Sequence, residues 1–151
     1  MSEMLWQKVQ ERINDHSYMA GVSRTVERVK ATGEIFTPTE LVMNMLKSTP
    51  LNSFAPGRRV LDPACGDGQF LVGAKWTKVF FFDVSENQAL QDIYGIDIMR
   101  DNVDLCKSRL RGGFIVMGDA LRPTLRLEGQ LESEHEFMIS HFDYQDQLTL
   151  F

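Results

Sequence analysis

The amino-acid sequence predicts an α/β domain with a parallel β-sheet of three or four strands. Three short apolar segments, residues 59–62, 94–98 and 114–117, alternate with segments of helical periodicity. That alternation is typical of strands joined by helical crossovers, which are nearly always right-handed. With 151 residues, of which 43% are hydrophobic and 25% charged, the chain has the size and composition of one globular domain.

Residues 1–48 are predicted to form a helical segment that precedes the sheet. In the first helix, residues 3–15, apolar side chains recur at every fourth position on one face, at Leu5, Val9 and Ile13. A short second helix is predicted over residues 24–30. A third helix runs to Ser48, and its start has the pattern of a capping box with a proline in the first turn, at Thr37, Pro38 and Glu40.

Residues 49–140 contain the predicted sheet and its connecting helices. A helix begins at Gln69 and extends, with a break, to Leu90, and another covers residues 102–110. The short apolar run Phe137–Ile139 is predicted to be a fourth strand. The sequence therefore alternates strand and helix through most of its length.

An aspartate follows each of the first three strands, at Asp62, Asp97 and Asp119. The carboxyl ends of parallel strands lie at one edge of a sheet, and ligands bind in the crevice outside that edge, at a switch point in strand order. We therefore expect the three carboxylates to share one crevice. After the first strand, Gly66 and Gly68 allow a tight turn that brings the backbone close to a ligand. Each aspartate alone is as well explained as a turn former or helix cap, so the ordered set of three carries the inference.

The three carboxylates suit a ligand that contains an amine, a ribose and an adenine. Asp97 is placed to accept hydrogen bonds from ribose hydroxyls, as acidic residues do in dinucleotide-binding folds. Asp119 is placed to accept one from an adenine amine. Asp67, in the glycine turn, disfavours a phosphate group. A nicotinamide-dependent oxidoreductase is a weaker interpretation, because the turn lacks the third glycine of that fingerprint.

Four motifs resemble those of one enzyme family: Gly33–Pro38, Val60–Leu71, Tyr94–Ile98 and Gly118–Leu121. They are similar to motifs of the adenine-specific, S-adenosylmethionine (SAM)-dependent DNA methyltransferases of restriction-modification systems, over about residues 24–121. The resemblance implies a Rossmann-like SAM-dependent methyltransferase fold, shortened here because that family has seven strands. It also implies SAM as cofactor and the adenine amine of DNA as methyl acceptor.

The resemblance implies a role for individual residues in holding SAM. Asp62 and Gly66 would hold the methionine part, and Asp97 would hold the ribose. Ile98 would pack on a face of the adenine, whose amine Asp119 would bind. Phe36 and Thr37 would close the pocket. The other residues of the implied cofactor site lie in the same motifs and are Pro63, Ala64, Cys65, Ala120 and Leu121.

The catalytic motif of that family, Asn/Asp-Pro-Pro-Tyr/Phe, follows a fourth strand. Its polar side chain and a proline carbonyl accept the hydrogens of the target amine, and its aromatic ring stacks on the flipped base. The present sequence contains no consecutive prolines. The residues at the corresponding position, after the predicted fourth strand, are His141, Asp143 and Tyr144.

Two functions remain open from the sequence. The first is a DNA adenine methyltransferase, or a methyltransferase-like subunit, that transfers a methyl group from SAM. The second is a non-catalytic SAM-binding module, bacterial or phage-encoded, that tethers to or modulates a DNA replication or modification complex. The missing proline pair favours the second, whereas the complete set of cofactor motifs serves either function.

The charge of the chain affects how such a protein would bind DNA. The net charge is −5, and residues 128–151 contain six acidic residues and no lysine or arginine. Affinity for DNA comes largely from neutralised phosphates, so contact with DNA would need a partner, a second copy in a homodimer, or a local basic patch. The candidate patch is Arg100, Lys107, Arg109 and Arg111.

Residues 141–151 are predicted to be an acidic tail. Its end is similar to the short peptide by which bacterial and phage proteins bind the replicative sliding clamp, at Gln147, Leu148, Thr149, Leu150 and Phe151. A final strand or helix end that packs on the core explains the same residues equally well. No apolar run reaches the ~18 residues of a membrane span, and the two cysteines lack the pattern of a disulfide framework. The expected location is therefore the cytoplasm of a bacterial or phage-infected cell.

Overall fold

The computed structural model describes residues 1–19 and 37–142. Its sheet has three parallel strands in the order β1 (Val60–Asp62), β2 (Ile93–Asp97) and β3 (Phe114–Met117). Val60 pairs with Ile93, and Tyr94 pairs with Phe114. The three predicted strands are confirmed, and the small parallel sheet with its helices is a Rossmann-like α/β arrangement. The order of these strands contains no reversal, so the expected switch point is not formed by the described residues.

Six α-helices occupy the described ranges. They are α1 (Ser2–Asn14), α2 (Thr39–Ser48), α3 (Gln69–Phe82), α4 (Glu86–Leu90), α5 (Arg100–Leu110) and α6 (Glu132–Phe142). Short 3₁₀ turns cover Ser17–Met19 and Leu51–Phe54. The predicted break after α3 is confirmed, because Asp83 takes a left-handed conformation and Ser85 caps α4. The helix predicted over residues 24–30 lies outside the described residues.

The main core lies on one face of the sheet. Helix α3 crosses this face and packs against α1, α2 and α5. The predicted apolar face of α1 is confirmed at Val9 and Ile13, which are fully buried. From the sheet, Ile93 and Ile115 point to the same side, as the period of two along a strand requires.

Helix α6 covers part of the opposite face of the sheet. Met138 and Phe142, one helical turn apart, pack against Ile96 and Val116. Phe137 extends this contact by stacking near Phe114. The two faces of the sheet are therefore both apolar, and a single described helix packs on the second.

The carboxyl end of β3 is closed on its outer side by two side chains. Glu134 accepts a hydrogen bond from the Met117 N–H at 2.9 Å, and Gln130 Nε2 donates one to the Met117 carbonyl at 2.7 Å. Glu134 also accepts hydrogen bonds from the Arg100 guanidinium, one of them at 2.9 Å. These contacts fix the start of α6 against the end of the sheet.

Two predictions of secondary structure are wrong. Phe137–Ile139 is not a fourth strand but lies inside α6, because Met138 belongs to a helical stripe that packs on the sheet. The capping box before α2 is also absent: the cap residue is Pro38, the helix starts at Thr39, and no side chain bonds to the free N–H groups. The Thr37 carbonyl instead accepts a hydrogen bond from Gln69 Nε2 at 2.9 Å.

Candidate cofactor site

The three predicted aspartates lie at the same edge of the sheet. Asp62 is the last residue of β1, Asp97 is the last residue of β2, and Asp119 follows β3 by two residues. Because the strands are parallel neighbours, all three residues stand at the carboxyl edge. Each of the three residues is half-buried, so this edge of the sheet presents three partly accessible carboxylates.

The glycine turn after β1 is held against β2 by hydrogen bonds. The Gly66 N–H donates to Asp97 Oδ2 at 2.9 Å, and the Cys65 N–H donates to the Ile96 carbonyl at 2.9 Å. Gly68 has φ of 93° and forms the N-cap of α3. A Cβ atom at Gly68 would approach Cys106 Sγ to 2.9 Å. Glycine is therefore required there both for its conformation and for its size.

Asp97 holds the turns on both sides of it. Its Oδ1 accepts hydrogen bonds from the Met99 N–H at 2.8 Å and from Asn102 Nδ2 at 3.4 Å. With the bond from Gly66, three of the roughly four acceptor positions of a carboxylate are occupied. Asp97 can therefore accept one more strong hydrogen bond, from a ligand.

Asp62 lies close enough to Asp97 for the two negative charges to repel each other. Burial raises the pKa of the Asp62 carboxyl, the hydrogen bond from Ala64 lowers it in part, and the negative charge of Asp97 adds a further raising effect, so the net pKa is raised. That bond reaches Asp62 Oδ1 at 3.1 Å. Among the described residues, Asp62 Oδ2 receives no hydrogen bond, and a cation or donor group there would relieve the repulsion.

Both carboxylate oxygens of Asp119 are engaged by neighbouring residues. Its Oδ1 accepts the Leu121 N–H at 2.9 Å, and its Oδ2 pairs with Arg122 Nε at 3.1 Å. The Arg122 side chain is mostly exposed, so this ion pair is weak and can be exchanged.

The other predicted cofactor residues surround this edge with mixed exposure. Ile98 is 57% exposed and presents an apolar side chain beside Asp97. Leu121 is also exposed, whereas Cys65 is buried in the core. Pro63 and Ala64 are exposed, and Ala120 and Thr37 are half-buried. Phe36 lies outside the described residues.

A buried polar cluster beside the glycine turn was not predicted from the sequence. Arg109 Nη2 donates to Gln69 Oε1 and to the Ile13 carbonyl, both at 2.7 Å, and Nη1 lies 3.5 Å from Asp67 Oδ2. The Tyr18 hydroxyl donates to Asp67 Oδ2. Burial and this bond raise the pKa of Tyr18. Asp67 is thus engaged in the interior, and nothing in the local sequence signals contacts across such separations.

The structure does not bring the predicted catalytic residue His141 to the row of aspartates. His141 lies in the last turn of α6, and its ring stacks on Phe137 with centroids 4.0 Å apart. Phe137 in turn packs near Phe114, at the amino end of β3, whereas Asp119 follows the carboxyl end. The predicted position of His141 after a fourth strand is wrong. Asp143 and Tyr144 lie outside the described residues.

The expected basic patch is not an exposed surface. The Arg109 side chain is only 4% exposed. Arg100 is bound to Glu134 and lies 3.4 Å from Asp104. Lys107 and Arg111 stay exposed, but two of the four predicted cations are committed to contacts within the fold.

The small parallel sheet with its helices, the carboxylates at its carboxyl edge and the glycine turn after the first strand define an α/β domain of the Rossmann-like class. A family model described as N-6 DNA methylase matches residues 22–112. The chain belongs to this family, and its function is of the DNA methyltransferase type. No solved structure gives a significant match to the chain. Within the two described ranges, every helix is too short or too polar to cross a lipid bilayer.

Proposed function

We propose that this chain binds SAM at the carboxyl edge of its sheet and serves the methylation of adenine in DNA. The observation that carries the proposal is the position of Asp97 at the end of β2, bonded to Gly66 and close to Asp62. This arrangement offers acceptors to ribose hydroxyls and to an ammonium group at one edge of the sheet. The family match agrees with such a cofactor, because N-6 methylases transfer a methyl group.

The residues at the edge fit the parts of SAM. Asp62 Oδ2, which receives no hydrogen bond within the part of the chain that the structure describes, suits the ammonium of the methionine part, and the remaining acceptor capacity of Asp97 suits a ribose hydroxyl. The exposed Ile98 provides an apolar surface for the adenine face. Asp119 would bind the adenine amine after exchange of its bond with Arg122. When bound, SAM supplies the methyl group, carried on its sulfonium.

The adenine of DNA is the proposed methyl acceptor. Flipping of the target base would place its amine near the cofactor, and acceptor groups would have to bind the amine hydrogens. Asp143 and Tyr144 remain the proposed candidates within this chain. A second copy or a partner subunit would provide the contacts to DNA, and restriction-modification in a bacterial or phage-infected cytoplasm is the proposed setting.

A second candidate function is a SAM-binding module without its own catalysis. The observation that favours it is α6, which occupies the segment where a fourth strand would lead to a catalytic motif. In this alternative the C-terminal peptide from Gln147 to Phe151 would tether the module to a sliding clamp.

Equilibrium dialysis with methyl-labelled SAM tests the common part of both candidates. We expect a micromolar dissociation constant, about −8 kcal/mol, as for small cofactor sites. Absence of binding at high micromolar SAM would overturn the proposal. Transfer of label to a duplex that contains adenine, but not to a duplex of only G·C pairs, would select the enzyme. Binding without transfer would select the non-catalytic module.

A further inference from the structure

A groove of about 450 Å³ lies on the helical side of the molecule, away from the row of aspartates. It is bounded by the end of α1, by α3 and by the end of α5. Of the described residues, four cationic ones line it: Arg12, Lys75, Arg109 and Arg111. Its acidic lining residues are Asp15 and Glu86. The groove therefore has an excess of positive charge in a protein whose net charge is −5.

Two of the cations are held within the protein and form the inner wall. Lys75 is buried and bonds to Glu86 Oε1 at 2.9 Å and to the Leu110 carbonyl at 3.1 Å. Arg109 is buried under the Tyr18 ring, with its guanidinium carbon 4.4 Å from the ring centroid. Its Nε and Nη1 atoms find no hydrogen-bond partner within the described part of the chain. The long contact with Asp67 therefore leaves the Arg109 charge incompletely compensated.

The other two cations are exposed and available. Among the described residues, the side chains of Arg12 and Arg111 form no ion pair. Arg12 lies over the Trp76 ring at 4.1 Å, which positions its guanidinium at the groove without using its hydrogen-bond donors. A hydrogen bond from Lys75, together with the charges of Arg12 and Arg111, holds the pKa of Glu86 below its usual range. The positive field of both arginines thus reaches the same part of the groove.

We propose that this groove is a second ligand site, which binds a small phosphate monoester through Arg12 and Arg111. Guanidinium groups donate paired hydrogen bonds to phosphate oxygens, and a dianion matches the two uncommitted positive charges. A cavity of this volume is in the usual range for small-molecule sites. The positive charges of the buried Lys75 and Arg109, in the inner wall of the groove, add to the attraction for an anion. It is separate from the proposed SAM site, and its occupation does not depend on that proposal.

Calorimetry of the full chain with inorganic phosphate, and separately with ribose 5-phosphate, at low ionic strength tests the site. We expect Arg12→Gln/Arg111→Gln to weaken phosphate binding by about tenfold or more, because two charge-assisted contacts are lost. Arg12→Lys/Arg111→Lys should bind phosphate with an affinity between those of the glutamine variant and the wild type, because lysine keeps the charge but loses the paired hydrogen bonds. The matched control is Arg58→Gln/Arg59→Gln, which removes the same charge from exposed positions outside the groove and should bind as the wild type does.

Three results would overturn the proposal. One is the absence of phosphate binding to the wild type. Another is an equal loss of affinity in the groove variant and in the control, since that would reflect net charge only. The third is binding of a short DNA duplex that depends on Arg12 and Arg111 while inorganic phosphate and ribose 5-phosphate do not bind. Unchanged thermal midpoints of all variants would ensure that folding is not the cause.

Discussion

Asp97 Oδ2 accepts a hydrogen bond from the Gly66 N–H at 2.9 Å, so the end of β2 holds the turn that follows β1. The same carboxylate also accepts the Met99 N–H. One side chain thus orders two turns at the carboxyl edge, and we propose that it also contacts the cofactor there. Its removal should affect both the stability of the fold and the binding of SAM.

Asp97→Ala is expected to weaken SAM binding by about 10- to 100-fold, because hydrogen bonds to a charged group contribute about 1.5–3 kcal/mol. Calorimetry with SAM measures the change. Asp104→Ala is the matched control, since Asp104 is exposed on α5 and its only described pair is with Arg100. Equal affinities of the Asp97 variant and the wild type would exclude this carboxylate from the site.

Gly68→Ala is expected to destabilise the fold more than Gly57→Ala does. Both glycines have positive φ, 93° and 85°, and an alanine in such a conformation costs about 1–2 kcal/mol. Only at Gly68 would the new Cβ also meet a neighbour, Cys106 Sγ, at 2.9 Å, whereas Gly57 has open space. Urea denaturation measures the difference. In the Cys106→Ala background, Gly68→Ala should cost less unfolding free energy than it does in the wild type. The contact with Cys106 Sγ is then absent, and only the conformational cost remains.

Lys78→Met is expected to cost about 3–5 kcal/mol of unfolding free energy, as does removal of one partner from a buried ion pair. Lys78 is fully buried; its Nζ donates to the carbonyls of Phe54, Ala55 and Arg58 and lies 3.2 Å from Asp92 Oδ2. Chemical denaturation tests this, with Lys107→Met as an exposed control. Adding Asp92→Asn should restore part of the loss, because the unpaired carboxylate is then neutral.

The Glu134 carboxylate should make stability depend on acidic pH. Burial raises the pKa of Glu134, but hydrogen bonds from Arg100 and from the N–H groups of Met117 and Leu131 outweigh it, and the net pKa is lowered. A lowered folded-state pKa stabilises the protein above the unfolded value, about 4.3 for glutamate. This stabilisation is lost as the pH falls through the folded-state value.

Denaturation between neutral pH and pH 3 should therefore give a shallower pH dependence for Glu134→Gln than for the wild type. The variant should also lose about 1–3 kcal/mol at neutral pH, because charge-assisted bonds are replaced. Glu132→Gln removes the same charge from an exposed position of α6 and should preserve the wild-type slope. An unchanged slope in Glu134→Gln would contradict the assigned role.

Strand positions could be predicted from local sequence, because each strand is a short apolar run that ends at an aspartate or glycine. The predicted segment 114–117 coincides with β3, segment 59–62 starts one residue before β1, and segment 94–98 is shifted by one residue from β2 at both ends. Phe137–Ile139 shows where this reasoning fails, since a short apolar run fits a strand or a buried helix equally. The spacing of four from Glu134 to Met138 and Phe142, all buried, was the signal of a helix.

The edge location of the three aspartates followed from topology alone, but their partners did not. The bond from Gly66 to Asp97 joins residues 31 positions apart and depends on three-dimensional proximity. The contact between Tyr18 and Asp67 spans 49 residues of sequence, so no periodicity could reveal it. The capping prediction at Thr37 failed because the cap residue is Pro38 and the helix starts at Thr39. The hydrogen bond from Gln69 Nε2 to the Thr37 carbonyl joins residues 32 positions apart and also has no local signal.

The contacts of Glu134 and Gln130 with Met117 make the two borders of the sheet unequal. A strand added beside β3 would find the last backbone groups already occupied. Beside β1, the backbone groups of Leu61 point outward, because Val60 donates to Asp92 on the inner side. Within the described residues, strand addition is thus hindered beside β3, whereas the outward backbone groups of Leu61 allow it at the β1 flank. Two copies joined through that flank would form a closed pair related by a twofold axis rather than an endless ribbon.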